Sequence, residues 1–261
     1  MIDISLIITF FVLLIATYTD IKRREVPDWL SFSFIAIASI IALTKSIIAE
    51  NFSFLLNSLF GFIVFFVLAE LFYHGKLFAG GDAKLLMGIG TALGADIHFV
   101  MNVLFLGGIY GLIYSFVLAA INFEKVKTEL KKTKIPILLF VTLSLISLIL
   151  GIFLNSFFYF IAILSLISPL LYAFTFAVEK VSLIKTVSPK KLTEGDWLAK
   201  DVKIKGKIIK ATYEGLSKSD IHEIKKANLN VKIKYGLPFV PVFLIAFIAK
   251  LIFGNVLMQL F

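Results

Sequence analysis

Five acids stand within or beside long apolar runs: Asp20, Asp28, Glu70, Asp82 and Asp96. Charge in such a setting is costly, so each is a functional candidate by default. Two of them share a pattern. Asp20 closes an apolar run and is followed by Ile21-Lys22-Arg23-Arg24, whereas Asp82 opens one directly after Ala79-Gly80-Gly81. Two carboxyls held at one depth of a membrane can share a proton, because repulsion and desolvation push their titrations apart and make the pair titrate as a unit. The ionised member can then take a proton from a water that attacks a peptide carbonyl, while the protonated member hydrogen-bonds the developing oxyanion. Gly80 and Gly81 place no side chains beside Asp82, which lets an extended substrate backbone approach. The competing reading of Gly-Gly-Asp before a helix is a plain N-cap, favoured by the helix dipole.

Whether the two aspartates can meet depends on the elements that carry them. The chain has 261 residues, 59% hydrophobic and 16% charged, with a mean hydropathy of +0.97. Soluble domains run nearer to about 45–50% apolar and 25% charged. The composition therefore predicts an all-α polytopic membrane protein. The absence of cysteine excludes a disulfide scaffold, thiol catalysis, Cys-ligated zinc and iron–sulfur clusters. His74, His98 and His222 are too few for a His-rich metal site, and no metal or organic cofactor is expected.

Apolar runs occupy residues 4–19, 29–44, 52–72, 97–121, 135–153 and 156–178, and a last run begins at 237. Each has about the length a bilayer core demands. The first reads as a retained helix rather than a signal peptide, since Asp3 precedes it and it ends without a small-residue cleavage site. Basic residues stay on the cytoplasmic side of short loops. Lys22, Arg23 and Arg24 set the first link inside, and the five lysines of link 122–134 set that one inside as well. The parity closes only if residues 82–95 also cross, although fourteen helical residues span only about 21 Å. Glycines at 88, 90 and 94 would let this short crossing pack closely among its neighbours. Eight spans are expected, six to eight at the bounds, with both termini outside. Every basic residue but Lys45 and Lys250 is then cytoplasmic. Lys250 falls inside the last span and needs a partner or must snorkel. This topology sets Asp20 and Asp82 at one depth on the cytoplasmic side, although they are 62 residues apart.

The stretch 178–236 holds 14 lysines and 7 acids and so carries most of the net charge of +9. Alternation around Gly206 over 201–212 predicts a β-hairpin, Ser217 an N-cap for a short helix to about Ala227, and 230–235 a third strand. The expected organisation is a transmembrane catalytic bundle over 1–177, a small basic α+β cytoplasmic domain over 178–236, and a C-terminal span over 237–261. The basic domain is expected to rest against anionic lipid headgroups. Nucleic acid is not an expected partner, because aromatic residues do not alternate with the lysines.

The remaining acids read as structural. Asp28, in Pro27-Asp28-Trp29, is expected to cap the second helix. Asp96 turns the chain on the outer side, away from the pair. Glu70 is expected to pair with Lys84 or with a base of the first link. Lys84, two residues after Asp82, is a candidate for holding a substrate terminus. His74 and His222 are expected to be solvated.

At these residues the chain resembles the archaeal branch of the type IV prepilin peptidases, the preflagellin (prearchaellin) and prepilin peptidases of the GxGD aspartic protease class. The first shared motif is Asp20-Ile-Lys-Arg-Arg-Glu-Val-Pro-Asp-Trp-Leu30, and the second is Ala79-Gly80-Gly81-Asp82-Ala83-Lys84. Ala79 departs from the family's first glycine. Leu192–Asp196, Glu214–Ser217 and Gly236-Leu-Pro-Phe-Val-Pro241 are also similar to the C-terminal region of archaeal members. The resemblance implies that Asp20 and Asp82 are the catalytic pair. Gly80, Gly81, Lys84 and Glu70 stand on the substrate side, and no metal is required. It implies substrates that are pilin-like or archaellin precursors, cut at the cytoplasmic face between a short basic leader and a hydrophobic helix. Bacterial relatives that also N-methylate the new terminus carry a cysteine-bearing insert after the first span. The lack of cysteine and the short link here imply peptidase activity without methyltransferase activity. A presenilin or signal-peptide-peptidase relative also pairs Asp with Gly-x-Gly-Asp, but its Pro-Ala-Leu tripeptide is absent. A proton-coupled transporter would show internal repeats that this chain lacks. A non-catalytic pilus-assembly anchor is the remaining alternative, and it would tolerate replacement of Asp20.

Overall fold

A computed structural model of the chain describes residues 3–75, 77–133, 137–155, 157–204, 207–212 and 214–256. Among the described residues the helices are α1 (Ile4–Arg23), α2 (Asp28–Ile48), α3 (Ser53–His74), α4 (Gly80–Leu93), α5 (Ile97–Ile121), α6 (Phe123–Lys132), α7 (Ile137–Phe153), α8 (Phe157–Val178), α9 (Lys218–Lys226) and α10 (Val240–Phe253). The protein is polytopic. Helices α1, α2, α3, α5 and α8 are long and apolar enough to cross a membrane, and α7 and α10 are shorter apolar helices. With α4 these elements occupy the eight segments expected to span. Leucine, isoleucine and phenylalanine side chains remain exposed along them, as helices need when their solvent is lipid.

Two compact units form, residues 1–112 with 236–261, and residues 113–235. In the first unit α1 begins at Asp3, whose carboxylate accepts the Ser5 N–H at 2.8 Å, and its inward stripe is Ser5, Thr9, Val12, Leu13, Ala16 and Asp20. This spacing follows one face of a 3.6-residue helix. The helix stops where Arg24 turns left-handed (φ 60°) and returns its N–H to the Asp20 carbonyl at 2.8 Å.

Helix α4, expected to be a short crossing, packs against α1, α2 and α3, and Leu85, Leu86, Ile89 and both flanking glycines are buried. Protein rather than lipid surrounds much of it, which reduces the need for full bilayer length. The glycines behave as expected. A Cβ on Gly90 would come within 2.6 Å of the Gly61 carbonyl oxygen of α3, and one on Gly88 within 2.5 Å of the Phe34 ring of α2. Ser58 fastens the α3–α4 contact by donating to the Thr91 carbonyl at 2.8 Å. The unit's core closes with Phe65, Phe99, Phe243 and Phe247, so α10 is an integral wall of it.

The second unit starts with the end of α5. Residues 122–134, read as a basic link, contain α6, whose Val126 packs with Ala119, Ala177 and Val178. Helices α7 and α8 form an antiparallel hairpin fixed by Ser144 Oγ donating to the Ala162 carbonyl at 3.0 Å. After α8 come β1 (Ile184–Val187), β2 (Trp197–Leu198), β3 (Val202–Ile204), β4 (Lys207–Ile209) and β5 (Val231–Lys234). β3 and β4 make the expected hairpin, although Gly206 at its turn lies outside the described residues. Ser217 caps α9 as expected, through the Asp220 N–H at 3.2 Å. The third expected strand, β5, is the centre of an antiparallel sheet of order β1-β5-β2, and its two flanking strands were not anticipated. Ile221 and Ile224 of α9 share one core with Val231, Ile233 and Leu198.

Candidate active site

Asp20 reaches the site because it is the last member of the buried stripe of α1. It is 5% exposed, and its Oδ2 accepts the Val240 N–H, the first of α10, at 3.0 Å. The Phe239 backbone and the Arg24 charge also act on it. Asp82 is 8% exposed. The helix begins earlier than expected, at Gly80, so Asp82 is the third residue of α4 rather than its N-cap. Its Oδ2 accepts the Ala79 N–H at 3.1 Å. Asp82 therefore satisfies a helix-start donor, and its carboxyl also feels the charge of Asp20. The two carboxyls expected to meet lie within electrostatic reach of each other inside one unit, and each accepts a backbone N–H.

The link between α1 and α2 supports both. Arg24 Nη1 donates to the Gly236 carbonyl at 2.5 Å, just before α10. Val26 is buried against Gly81, where an added Cβ would meet Val26 Cβ at 3.2 Å. Asp28 Oδ1 accepts from Lys84 Nζ at 2.6 Å. Alternate link residues thus touch the segment before α10, then α4 twice, on both sides of Asp82.

These contacts revise several expectations. Asp28 is not an N-cap: Pro27 occupies that position, and the Asp28 side chain turns to Lys84. Lys84 also lies over the Phe32 ring at 5.6 Å. Glu70 pairs with neither Lys84 nor the first link. It bridges His74 Nε2 at 3.3 Å, one turn along α3, where i,i+4 geometry brings the two together. His74 is accordingly not simply solvated. The two glycines also separate in role. A Cβ on Gly81 would be tight against Val26, at 3.2 Å from its Cβ, whereas a Cβ on Gly80 would meet only Tyr73 Cε2, at 3.8 Å.

A second polar cluster sits at the opposite end of α4, whose fourteen residues rise about 21 Å. Asp96 pairs with Lys250, so the cation inside the last span has its partner. Asp96 also caps α5 by accepting the Phe99 N–H at 3.1 Å. Burial alone would raise the Asp96 carboxyl, but Lys250 and the Phe99 N–H hold it below its ordinary value. Nearby, Asn102 bonds the Gly254 carbonyl at 2.8 Å and the Val256 N–H at 3.0 Å, and Asn255 meets His98 Nδ1 at 3.0 Å. Among the described residues there is no group of three metal-ligating side chains.

Sequence reading did not anticipate the part played by residues 236–240. Their likeness to archaeal C-termini was visible, but a backbone N–H acting on a residue 220 positions earlier leaves no side-chain signature.

Fold and site define a polytopic membrane protein with two interacting carboxyls at the ends of α1 and α4. Residues 7–121, which carry both, match the type IV leader peptidase family. The chain is 32% identical to a preflagellin peptidase of Methanococcus maripaludis over 79 residues, 30% of this chain and 34% of that protein. It is 32% identical to a preflagellin peptidase of Methanococcus voltae over 81 residues, 31% and 34% of the two chains. A preflagellin peptidase of Methanocaldococcus jannaschii is 33% identical over 90 residues, 34% and 38% of the two chains. The matched stretch thus spans about a third of the length of these curated relatives. The resemblance to archaeal preflagellin peptidases read from the two aspartate motifs stands. No solved structure matches.

Proposed function

We propose that this protein is a membrane-embedded aspartic endopeptidase. It removes the short basic leader from archaellin or type IV pilin-like precursors at the cytoplasmic membrane face, without methylating the new terminus. The observation that carries the reading is that Asp20 and Asp82, two buried carboxyls from different helices, lie close enough for the charge of one to act on the other. The match of residues 7–121 to a leader peptidase family supports it.

In the reaction one aspartate is ionised and the other protonated. The ionised carboxylate takes a proton from water as the water oxygen bonds to the scissile carbonyl carbon. The protonated carboxyl donates to the carbonyl oxygen and stabilises the oxyanion. Collapse of the tetrahedral intermediate breaks the C–N bond, and a carboxyl returns the proton to the leaving amine. Gly80 provides backbone access beside Asp82. Lys84 and Glu70 stand at the edge of the site toward substrate, and Glu70 and Asp28 offer negative charge to a basic leader. The basic region 178–236 faces the cytoplasm and associates with anionic headgroups.

Co-expression with a tagged archaellin precursor tests the reading. Membranes containing the protein should yield a shortened precursor whose new N-terminus carries no added methyl mass. Serine-directed inhibitors and chelators should leave cleavage intact. An unprocessed set of archaellin and pilin precursors, with the protein present and folded, would favour an assembly anchor instead.

A further inference from the structure

We propose that Arg24 is a positioning residue for Asp20: by gripping the Gly236 carbonyl it holds the start of α10, and with it the Val240 N–H, on the Asp20 carboxyl. The inference rests on the peptidase reading above for its kinetic consequence, but the brace itself is a matter of geometry.

A left-handed residue at a helix C-terminus is ordinarily glycine, because a Cβ is disfavoured there. Here the residue is an arginine with φ 60° and ψ 30°. Its backbone closes α1 on the Asp20 carbonyl, and its side chain crosses to Gly236. Glycine would serve the first contact with less strain, so the side chain accounts for the arginine. From Gly236 the chain passes Leu237 and Pro238 to Phe239, which packs on Phe78 and Phe243. Pro238 restricts the segment, and Val240, fully buried, then meets Asp20. The clamp is therefore one short, stiff segment fixed at its start by Arg24 and at its end by Asp20.

The consequence for chemistry is orientation. The Val240 N–H occupies Asp20 Oδ2 and the Phe239 backbone also acts on the carboxyl, so the start of α10 sets the carboxyl's orientation. The same link seats Val26 on Gly81 and Asp28 on Lys84, so the residues that aim Asp20 also border Asp82. A displacement near 1 Å at such a pair can cost about 100-fold in rate. Arg24 acts on the reaction through Asp20, by this brace and by its charge, and not through the substrate.

The test compares wild type with Arg24→Lys, Arg24→Ala and Lys22→Ala, purified in lipid nanodiscs with an archaellin precursor. Lys22 belongs to the same basic cluster but, among the described residues, its exposed ammonium reaches only Tyr18 of its own helix, so Lys22→Ala should match wild type. Arg24→Ala should lower kcat by about 10- to 100-fold with KM changed less than about twofold, the signature of an interaction that serves the transition state. Arg24→Lys should fall between. Hydrogen exchange read at the Val240 amide should accelerate in Arg24→Ala while amides inside α2 and α3 keep their protection. A raised KM with kcat intact would overturn the proposal by making Arg24 a substrate contact. Unchanged kcat, or unchanged protection at Val240, would overturn it too. If Arg24→Ala fails to fold, Arg24→Lys carries the same comparison. If wild type cleaves nothing, the peptidase reading falls, and exchange at Val240 alone decides the brace.

Discussion

Val240 donates its backbone N–H to Asp20 at 3.0 Å across 220 residues of sequence. Helix α10 thereby completes the setting of the first helix's aspartate. This places α10 in the unit that holds both aspartates, in line with its burial against Phe78 and Phe99.

The two glycines before Asp82 should answer substitution differently. Gly81→Ala places a Cβ against Val26 and should destabilise by about 1–3 kcal/mol, as overpacking does. Adding Val26→Ala should recover little of the loss, because the crowding atoms are Val26 Cβ and its backbone N and O, which alanine keeps. Gly80→Ala has room and should leave the melting temperature unchanged or slightly raised. Thermal unfolding in detergent separates the two. Cleavage by Gly80→Ala then isolates any role of Gly80 in substrate approach.

The Asp28–Lys84 pair is solvent-exposed, and such pairs contribute about 0–1 kcal/mol. Asp28→Asn and Lys84→Met should therefore change stability little. A rise in KM for Lys84→Met at unchanged melting temperature is the expected result if Lys84 serves substrate binding. Equal loss in both variants would assign it to the brace instead.

At the far end of α4 the Asp96–Lys250 pair is mostly buried. Replacing Lys250 by methionine should cost more than the ~1 kcal/mol of an exposed pair and less than the ~3–5 kcal/mol of a fully buried one. The double variant with Asp96→Asn should cost less than the sum of the two single changes. The sign with pH follows from the lowered Asp96 carboxyl. Its contribution is full above the ordinary value of 3.8 and is lost as pH falls through the lower folded value. Melting temperature should therefore drop in acid more steeply for wild type than for Asp96→Asn.

Helices α3 and α4 approach through Gly61 and Gly90, with no room for a Cβ on either. Gly90→Val should separate them and disturb Asp82 from behind, lowering both melting temperature and cleavage. Gly108, which has open space around its missing Cβ, should accept alanine without either effect.

Much of the fold was legible because a bilayer imposes length and polarity on each crossing, and the apolar runs report both. The periodicity that buries Ser5, Thr9, Ala16 and Asp20 together was equally open to reading. Helix α6 was not, because its lysines dominate the composition and only Val126 is buried in its own unit. Strands β1 and β2 are four and two residues long and pair with a strand more than thirty positions away, so local pattern could not place them. Asp28 and Glu70 were misassigned for a related reason. A cap and an ion pair both look like an acid near a helix end, and only the tertiary arrangement decides which partner is in reach. The Val240 contact was hidden more deeply, since the donor is backbone.

The most direct measurement is cleavage of a tagged archaellin precursor by wild type, Asp20→Asn and Asp82→Asn at matched membrane expression. The two-carboxyl mechanism predicts that wild type removes the leader and that neither variant does, with both variants retaining the wild-type melting profile within about 1 kcal/mol of stability. Continued processing by both folded variants would contradict it, and would leave Asp82 as the helix-start acceptor that its bond to Ala79 already makes it.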